Sequence, residues 1–561
     1  MIAFEKNPNQ TATYEEAITF YQSLADQYPQ LQLSRHGATD SGFPLHTAVL
    51  STDRDFDPVS VRKKGKQILM INNAIHPGEP CGVDASMMLI RDYLSNEEWQ
   101  NRLRQLVIVV IPFYNIGGGL NRSSYSRANQ DGPEAYGFRG NARNLDLNRD
   151  FIKCDSKNAQ TFNQIFTFWN PDVFIDNHTS NGADYQYTMT LIATQHNKME
   201  QALGTYLNEK LLPNLYQEME KRDWEMIPYV YARDIPDNGI QAFLDLPRYS
   251  SGYAALFNTI SFMPETHMLK PFKDRVLSTY HFMDVMIHEM QENGEQLAAA
   301  RQAAIEQTKN KERFALQWKL DETKVDRLSF KGYEAKYKKS EVSGLDRLYY
   351  DHSAPFEKEI DYLNTYKATL SVDKPRAYII PQAYQAVIDR LSWNGVKYQR
   401  LTADQNIEVE MYRIEDYEST NFPYEGHYLH SDVKLKKELH TWRYHKGDYI
   451  VFVDQPVNRY IIETLEPQSP DAYFAWNFFD GILMQKEYFS SYVFEDLAAE
   501  FLKQNPDVQA ALEAKKKEDE KFAQSARAQL NFVYKRSPYY EPTHSLYPVG
   551  RMLKEQSLEL D

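Results

Sequence analysis

Four short polar clusters carry the residue types that do hydrolytic chemistry. They are His76-Pro77-Gly78-Glu79, Asn144-Leu145-Asp146-Leu147-Asn148-Arg149, Asp176-Asn177-His178 and Pro264-Glu265-Thr266-His267. A catalytic zinc takes three His or carboxylate ligands and keeps a further position open for water. A His-x-x-Glu pair with a distant histidine supplies such a set, and His76, Glu79 and His178 have that form. Each piece alone has an ordinary explanation. A His-x-x-Glu pair is more often a surface pair, and a single histidine in His178's setting more often a hydrogen-bonded core residue. The weight comes from recurrence, because the clusters stand at or after successive predicted strands.

Those strands are read from compact apolar runs: 45–50, 67–73, 106–112, 172–177 and 256–263. Helical spacing marks 14–28, 84–94, 157–169, 197–221 and 274–294 between and around them. Strands alternating with helices predict an α/β fold whose sheet is mixed, mostly parallel and flanked by helices. Ligands of such sheets sit beyond the carboxyl ends of the strands, where the clusters fall. Residues 114–150, rich in Gly, Asn, Ser and Arg, lack periodicity, and a loop of that length is more often functional than idle.

Taken in order, His-Pro-Gly-Glu, Asp-Leu-Asn-Arg-Asp-Phe (146–151), Asp-Asn-His and a Glu beyond a strand resemble the zinc metallocarboxypeptidases of the carboxypeptidase A type, over about residues 10–290. The resemblance implies a carboxypeptidase-like fold and one Zn2+ per chain on His76, Glu79 and His178. Asp146 is then the carboxylate that orients a ligand histidine. Asn148 and Arg149 grip the terminal carboxylate of a peptide, for which the guanidinium fork is suited. Glu265 is implied as general base and acid, and Arg139, with Arg143 as rival, as the group polarising the scissile carbonyl. Tyr253 is the choice for a mobile substrate-binding tyrosine, because Gly252 would free its loop, and Tyr249 is the alternative. The stretch 247–253 holds no carboxylate, which argues against a pocket selective for Lys or Arg; Asp245 is the nearest acid upstream. The implied reaction is release of C-terminal residues from peptides with a free C-terminus. The alternatives are an amidase acting on a non-standard peptide such as a bacterial cell-wall stem, and a catalytically silent peptide-binding homologue.

The 561 residues exceed what one core supports, so several domains are expected. A catalytic domain is read over 1–295, a charged helical linker over 296–315, a separate β-rich or α+β region over 316–505 and a helical, polar tail over 506–561. The second half offers no cluster that converts to chemistry; His427, His430, His440 and His445 read as surface positions. A net charge of −15 argues against a nucleic-acid partner. No apolar run is long enough to span a membrane. Met1–Lys6 do not open a signal peptide, so the chain is secreted or periplasmic only if a leader has been removed, and otherwise cytoplasmic. Two cysteines, Cys81 and Cys154, cannot build a disulfide framework, and Cys81 reads as a small buried residue.

Overall fold

A computed structural model describes residues 1–561. Its first sheet comprises β1 (Leu31–Ala38), β2 (Pro44–Leu50), β3 (Gln67–Asn72), β4 (Leu106–Ile111), β5 (Val173–Asp176), β6 (His178–Ser180), β7 (Met189–Ala193) and β8 (Met226–Pro228). Two-residue strands β9 (Tyr231–Ala232) and β10 (Ile240–Gln241) lie outside it, and β11 (Ile260–His267) returns to its centre. The order is β1-β2-β4-β3-β5-β11-β7-β8, with β6 also paired to β11. Pairs β3–β4, β3–β5, β5–β11, β6–β11 and β7–β8 are parallel; β1–β2, β2–β4 and β7–β11 are antiparallel. The mixed α/β sheet expected from the sequence is present.

Alternation along the central strands explains why both faces are covered. Leu69 and Ile71 of β3, with Leu106, Ile108 and Val110 of β4, enter one apolar core. Ile68 and Met70, with Val107, Val109 and Ile111, enter the other. Helices Tyr14–Gln27, Cys81–Ser95 and Phe272–Asn310 pack on the first face. Helix Lys157–Trp169 and the short helix Ser250–Ala255 pack on the second.

The second half contributes β12 (Arg313–Leu320), β13 (Asp326–Lys339), β14 (Asp346–Leu363), β15 (Tyr366–Asp373), β16 (Ala377–Ile380), β17 (Gln399–Arg400), β18 (Gln405–Ser419), β19 (His430–Tyr444), β20 (Tyr449–Phe452) and β21 (Gly550–Met552). It is β-rich, as expected, with two long hairpins, β13–β14 and β18–β19. Three details depart from the sequence reading. The helix read as ending at 294 runs unbroken from Phe272 to Asn310. Arg301, inside the stretch read as a linker, is buried and reaches Asp172 at 3.0 Å. Near the other end, β21 sits between β16 and β18, so the C-terminal segment closes a six-stranded sheet.

The second core continues across both halves. Phe151, Phe166, Tyr253 and Phe257 share it with Tyr378, Ile388, Tyr460 and Trp476. Phe257 packs on Tyr460 at 5.4 Å, and the Tyr253 hydroxyl donates to Asn394 Oδ1 at 2.7 Å. Strand pairing also crosses over, since β10 is parallel to the end of β14 through Ile240–Tyr362 and Gln241–Leu363.

Candidate active site

Parallel pairing brings the distant clusters together. His76 and Glu79 lie in the turn leaving β3, where Glu79 N–H donates to His76 O at 2.8 Å. His178 opens β6 and stands in register with Glu265 of β11. One ligand atom from each of His76, Glu79 and His178 falls within 4.8 Å of the others, and all three side chains are buried. Nδ1 of His178 lies 3.1 Å from Glu79 Oε2, and Nδ1 of His76 lies 3.3 Å from Glu79 Oε1. The opposite nitrogens each meet a carboxylate: His76 Nε2 is 2.9 Å from Asp146 Oδ1, and His178 Nε2 is 2.9 Å from Asp176 Oδ2. Carboxylates so placed hold the proton on Nε2 and turn each Nδ1 lone pair toward the common centre. The buried His76 Nδ1 makes no hydrogen bond within the protein. Two inward imidazole nitrogens, one of them unpartnered, and a carboxylate fit a zinc ion.

Charge around the centre is balanced by arginines. Arg127 Nη1 donates to Glu79 Oε1 at 2.8 Å, and Arg139 Nη1 lies 3.5 Å from the same oxygen. Burial opposes ionisation of Glu79, but Arg127 and the two histidines outweigh it and hold the carboxyl well below the usual range. Arg139 donates from Nε to Asp146 Oδ2 at 2.9 Å. Asp146 likewise stays ionised against burial, through His76, Arg139 and Arg149. Glu265 differs. Its carboxylate makes no hydrogen bond within the protein, and burial pushes it up to about 8, offset by His178 and reinforced by Glu79. Its side chain lines the same cleft as His76, Glu79 and His178.

His76, Glu79, His178, Arg127, Arg139 and Glu265 line one cleft of about 340 Å³, together with Asn148, Arg149, Asn181, Ile192, Tyr229, Phe243, Tyr249 and Met263. Asn148 Oδ1 accepts from Ser250 N–H at 3.1 Å, and the Arg149 guanidinium lies 4.5 Å from the Tyr249 ring centre. Beside the cleft, sharing Ile192, Tyr229 and Phe243, is a mainly apolar cavity of about 180 Å³.

The expected residues therefore meet in one place, with one exception. Tyr253 is fully buried on helix Ser250–Ala255, wedged among Phe151, Phe166 and Phe257 and bonded to Asn394, so it cannot reach the cleft. Gly252 does not loosen this segment: a Cβ there would stand 2.1 Å from Leu246 O, so the glycine permits close packing. Of the two tyrosines weighed, Tyr249, three residues before that glycine, is the one that lines the cleft. Of the two arginines weighed, Arg139 lines the cleft, whereas Arg143 turns to Asp155 O at 2.6 Å. From the sequence, Arg127 was not singled out, and Asp176 was placed in a cluster without a role. The first lies in the aperiodic loop; the second was visible two residues before His178. His267 is buried and bonded to Ala183 O at 2.8 Å, away from the metal centre.

Residues 17–243 match the protein family described as zinc carboxypeptidase. Over about 72% of both chains, the sequence is 22% identical to carboxypeptidase 2 of Trichophyton tonsurans and 21% identical to that of Trichophyton rubrum. Solved structures with similarity include a metallo-carboxypeptidase from Pseudomonas aeruginosa in complex with (2-guanidinoethylmercapto)succinic acid. That one has 16% identity and a TM-score of 0.39, covering 51% of this chain and 70% of the other. Carboxypeptidase A from Helicoverpa armigera has 15% identity and a TM-score of 0.36, covering 53% and 75%. The resemblance read from the sequence is borne out by the zinc carboxypeptidase match over residues 17–243, within the first half of the chain, and by the carboxypeptidase relatives. At the level of the family, that match supports zinc-dependent hydrolysis of peptides. No helix is long and apolar enough to cross a membrane.

Proposed function

We propose that this protein removes C-terminal residues from peptides, using one zinc per chain held by His76 Nδ1, His178 Nδ1 and Glu79. The observation that carries the reading is the single cleft joining that triad, the unpartnered carboxylate of Glu265, and Asn148 and Arg149. Bound there, zinc would supply Lewis acidity and lower the pKa of a water molecule. Glu265 accepts a proton from the attacking water and returns it to the departing amine. Arg139, with Arg127 beside it, offers guanidinium N–H groups to the oxygen of the scissile carbonyl as charge builds on it. Asn148 and Arg149 bind the terminal carboxylate and so set which bond is presented. Asp146 and Asp176 fix the orientation of the histidines.

The side-chain preference follows from the walls. Ile192, Tyr229, Phe243 and Met263 are apolar or aromatic, and the cavity behind them contains no carboxylate. Asp245 is buried, accepts from Gln195 N–H and sits 3.2 Å from Lys198 Nζ, so its charge is already matched. Apolar and aromatic C-terminal residues should therefore be released faster than Lys or Arg.

The reading is tested with an N-blocked dipeptide ending in Phe, as the free acid and as the amide. The free acid should be cleaved and the amide not. Arg149→Ala should raise KM for the free acid at least about tenfold, since a charged hydrogen bond is worth about 1.5–3 kcal/mol. Equal cleavage of acid and amide would exclude an exopeptidase that reads the terminus.

A further inference from the structure

The loop that carries Asn148 and Arg149 has no ladder of its own. Its backbone N–H groups at Arg143, Leu145, Asp146 and Asn148 are each satisfied by a side-chain acceptor instead. Asn141 Oδ1 accepts from Arg143 and Leu145, and Asp146 Oδ1 accepts from Asn148. The donor between these two sets, Asp146 N–H, is taken from far away: Glu425 Oε2 accepts it at 2.8 Å.

Glu425 is presented by a purpose-shaped element. Tyr424 and His427 exchange backbone hydrogen bonds of 2.7 and 3.0 Å, and the two residues between them, Glu425 and Gly426, have φ of 49° and 85°. That is a two-residue turn with both central residues left-handed, unusual for a glutamate and natural for the glycine. The turn is tied down on both flanks. His427 Nε2 lies 2.7 Å from Asp155 Oδ2, and the Tyr424 ring stacks on Trp476 at 6.1 Å. Next to it, Asp471 accepts from both N–H and Nε of Arg248, each at 2.9 Å, and the Arg248 guanidinium lies over Tyr424 and Trp476. Arg248 adjoins Tyr249, whose ring faces Arg149. The second half thus grips both segments that meet at Arg149.

We infer that Glu425 is a positioning residue for peptide binding: as acceptor for Asp146 N–H, it fixes the backbone from which Asn148 and Arg149 reach the substrate's carboxylate. This rests on the role proposed above for those two residues. Asp146 keeps its bonds to His76, Arg139 and Asn148 N–H without Glu425, so zinc binding does not depend on the contact. The effect belongs in KM, whereas a general loosening of the fold would lower kcat and zinc content as well.

The test is steady-state kinetics on the full chain with the N-blocked free-acid dipeptide, alongside zinc content, for Glu425→Ala, Glu425→Asp, Glu425→Gln and Arg149→Ala. Aspartate tolerates the left-handed turn but is one methylene too short, so it tests the contact even if the alanine variant folds poorly. Glu425→Ala and Glu425→Asp should raise KM about five- to tenfold, with kcat within about twofold and zinc unchanged, as expected for one lost hydrogen bond. Glu425→Gln, which keeps a carbonyl acceptor, should stay within about twofold of the parent. Unchanged KM in the alanine and aspartate variants, with KM raised in Arg149→Ala, would overturn the role of Glu425 alone. So would a glutamine variant as impaired as alanine. Unchanged KM in Arg149→Ala would overturn the anchor reading itself.

Discussion

Glu265→Gln should lower kcat by about a thousandfold, the usual loss on removing a general base, while zinc content and substrate KM stay near those of the parent. The substitution is close to a pure test of proton transfer. The two side chains have the same shape, and the Glu265 carboxylate makes no hydrogen bond within the protein that glutamine would disturb. Its neighbours set the metal centre without it: His178 is oriented by Asp176, and His76 by Asp146. Rapid-quench or steady-state assays with metal analysis on the same sample decide the matter. A glutamine variant retaining more than about a tenth of parental kcat would remove Glu265 from its assigned role.

Cutting the chain after Asn310 should give no soluble, active enzyme, although the metal ligands, Glu265, Asn148 and Arg149 all precede the cut. Phe166, Tyr253 and Phe257 would lose the cover of Tyr460 and its neighbours in the shared core. At about 1.5–3 kcal/mol for each large apolar side chain returned to water, three such residues already approach the 5–15 kcal/mol that a folded protein has in hand. The strand pair β10–β14 would also be lost, and with it the support of the segment bearing Tyr229 and Phe243. Size-exclusion chromatography and a peptide assay read the outcome. A monodisperse 1–310 fragment with parental kcat/KM would show that the second half is dispensable to the site.

The parts legible in the sequence are those where one signal dominates. Runs such as Leu106–Ile111 are apolar at every position because helices cover both faces, and helix Lys157–Trp169 shows plain 3.6-residue spacing between clear ends. The candidate metal cluster was readable because its residues fall at strand ends, where parallel pairing brings them side by side. Signals failed where elements are short. Helix Ser250–Ala255 has six residues and no periodicity, so Leu256 and Phe257 looked like the start of a strand that begins at Ile260. Reading Gly252 as loop freedom, where it permits close packing within that helix, put Tyr253 at the cleft rather than Tyr249. Long hairpins such as β13–β14 were missed because most of their residues are exposed or half-buried, leaving little apolar alternation to read. Contacts made across the whole chain, such as Glu425 to Asp146, leave no local trace at all.

The central claim is that His76, Glu79 and His178 form a zinc site, and metal analysis tests it most directly. Protein prepared metal-replete and dialysed should contain one zinc per chain, and His178→Ala prepared identically should contain close to none. A parent protein without zinc, or a His178→Ala variant that keeps its full complement, would contradict the account.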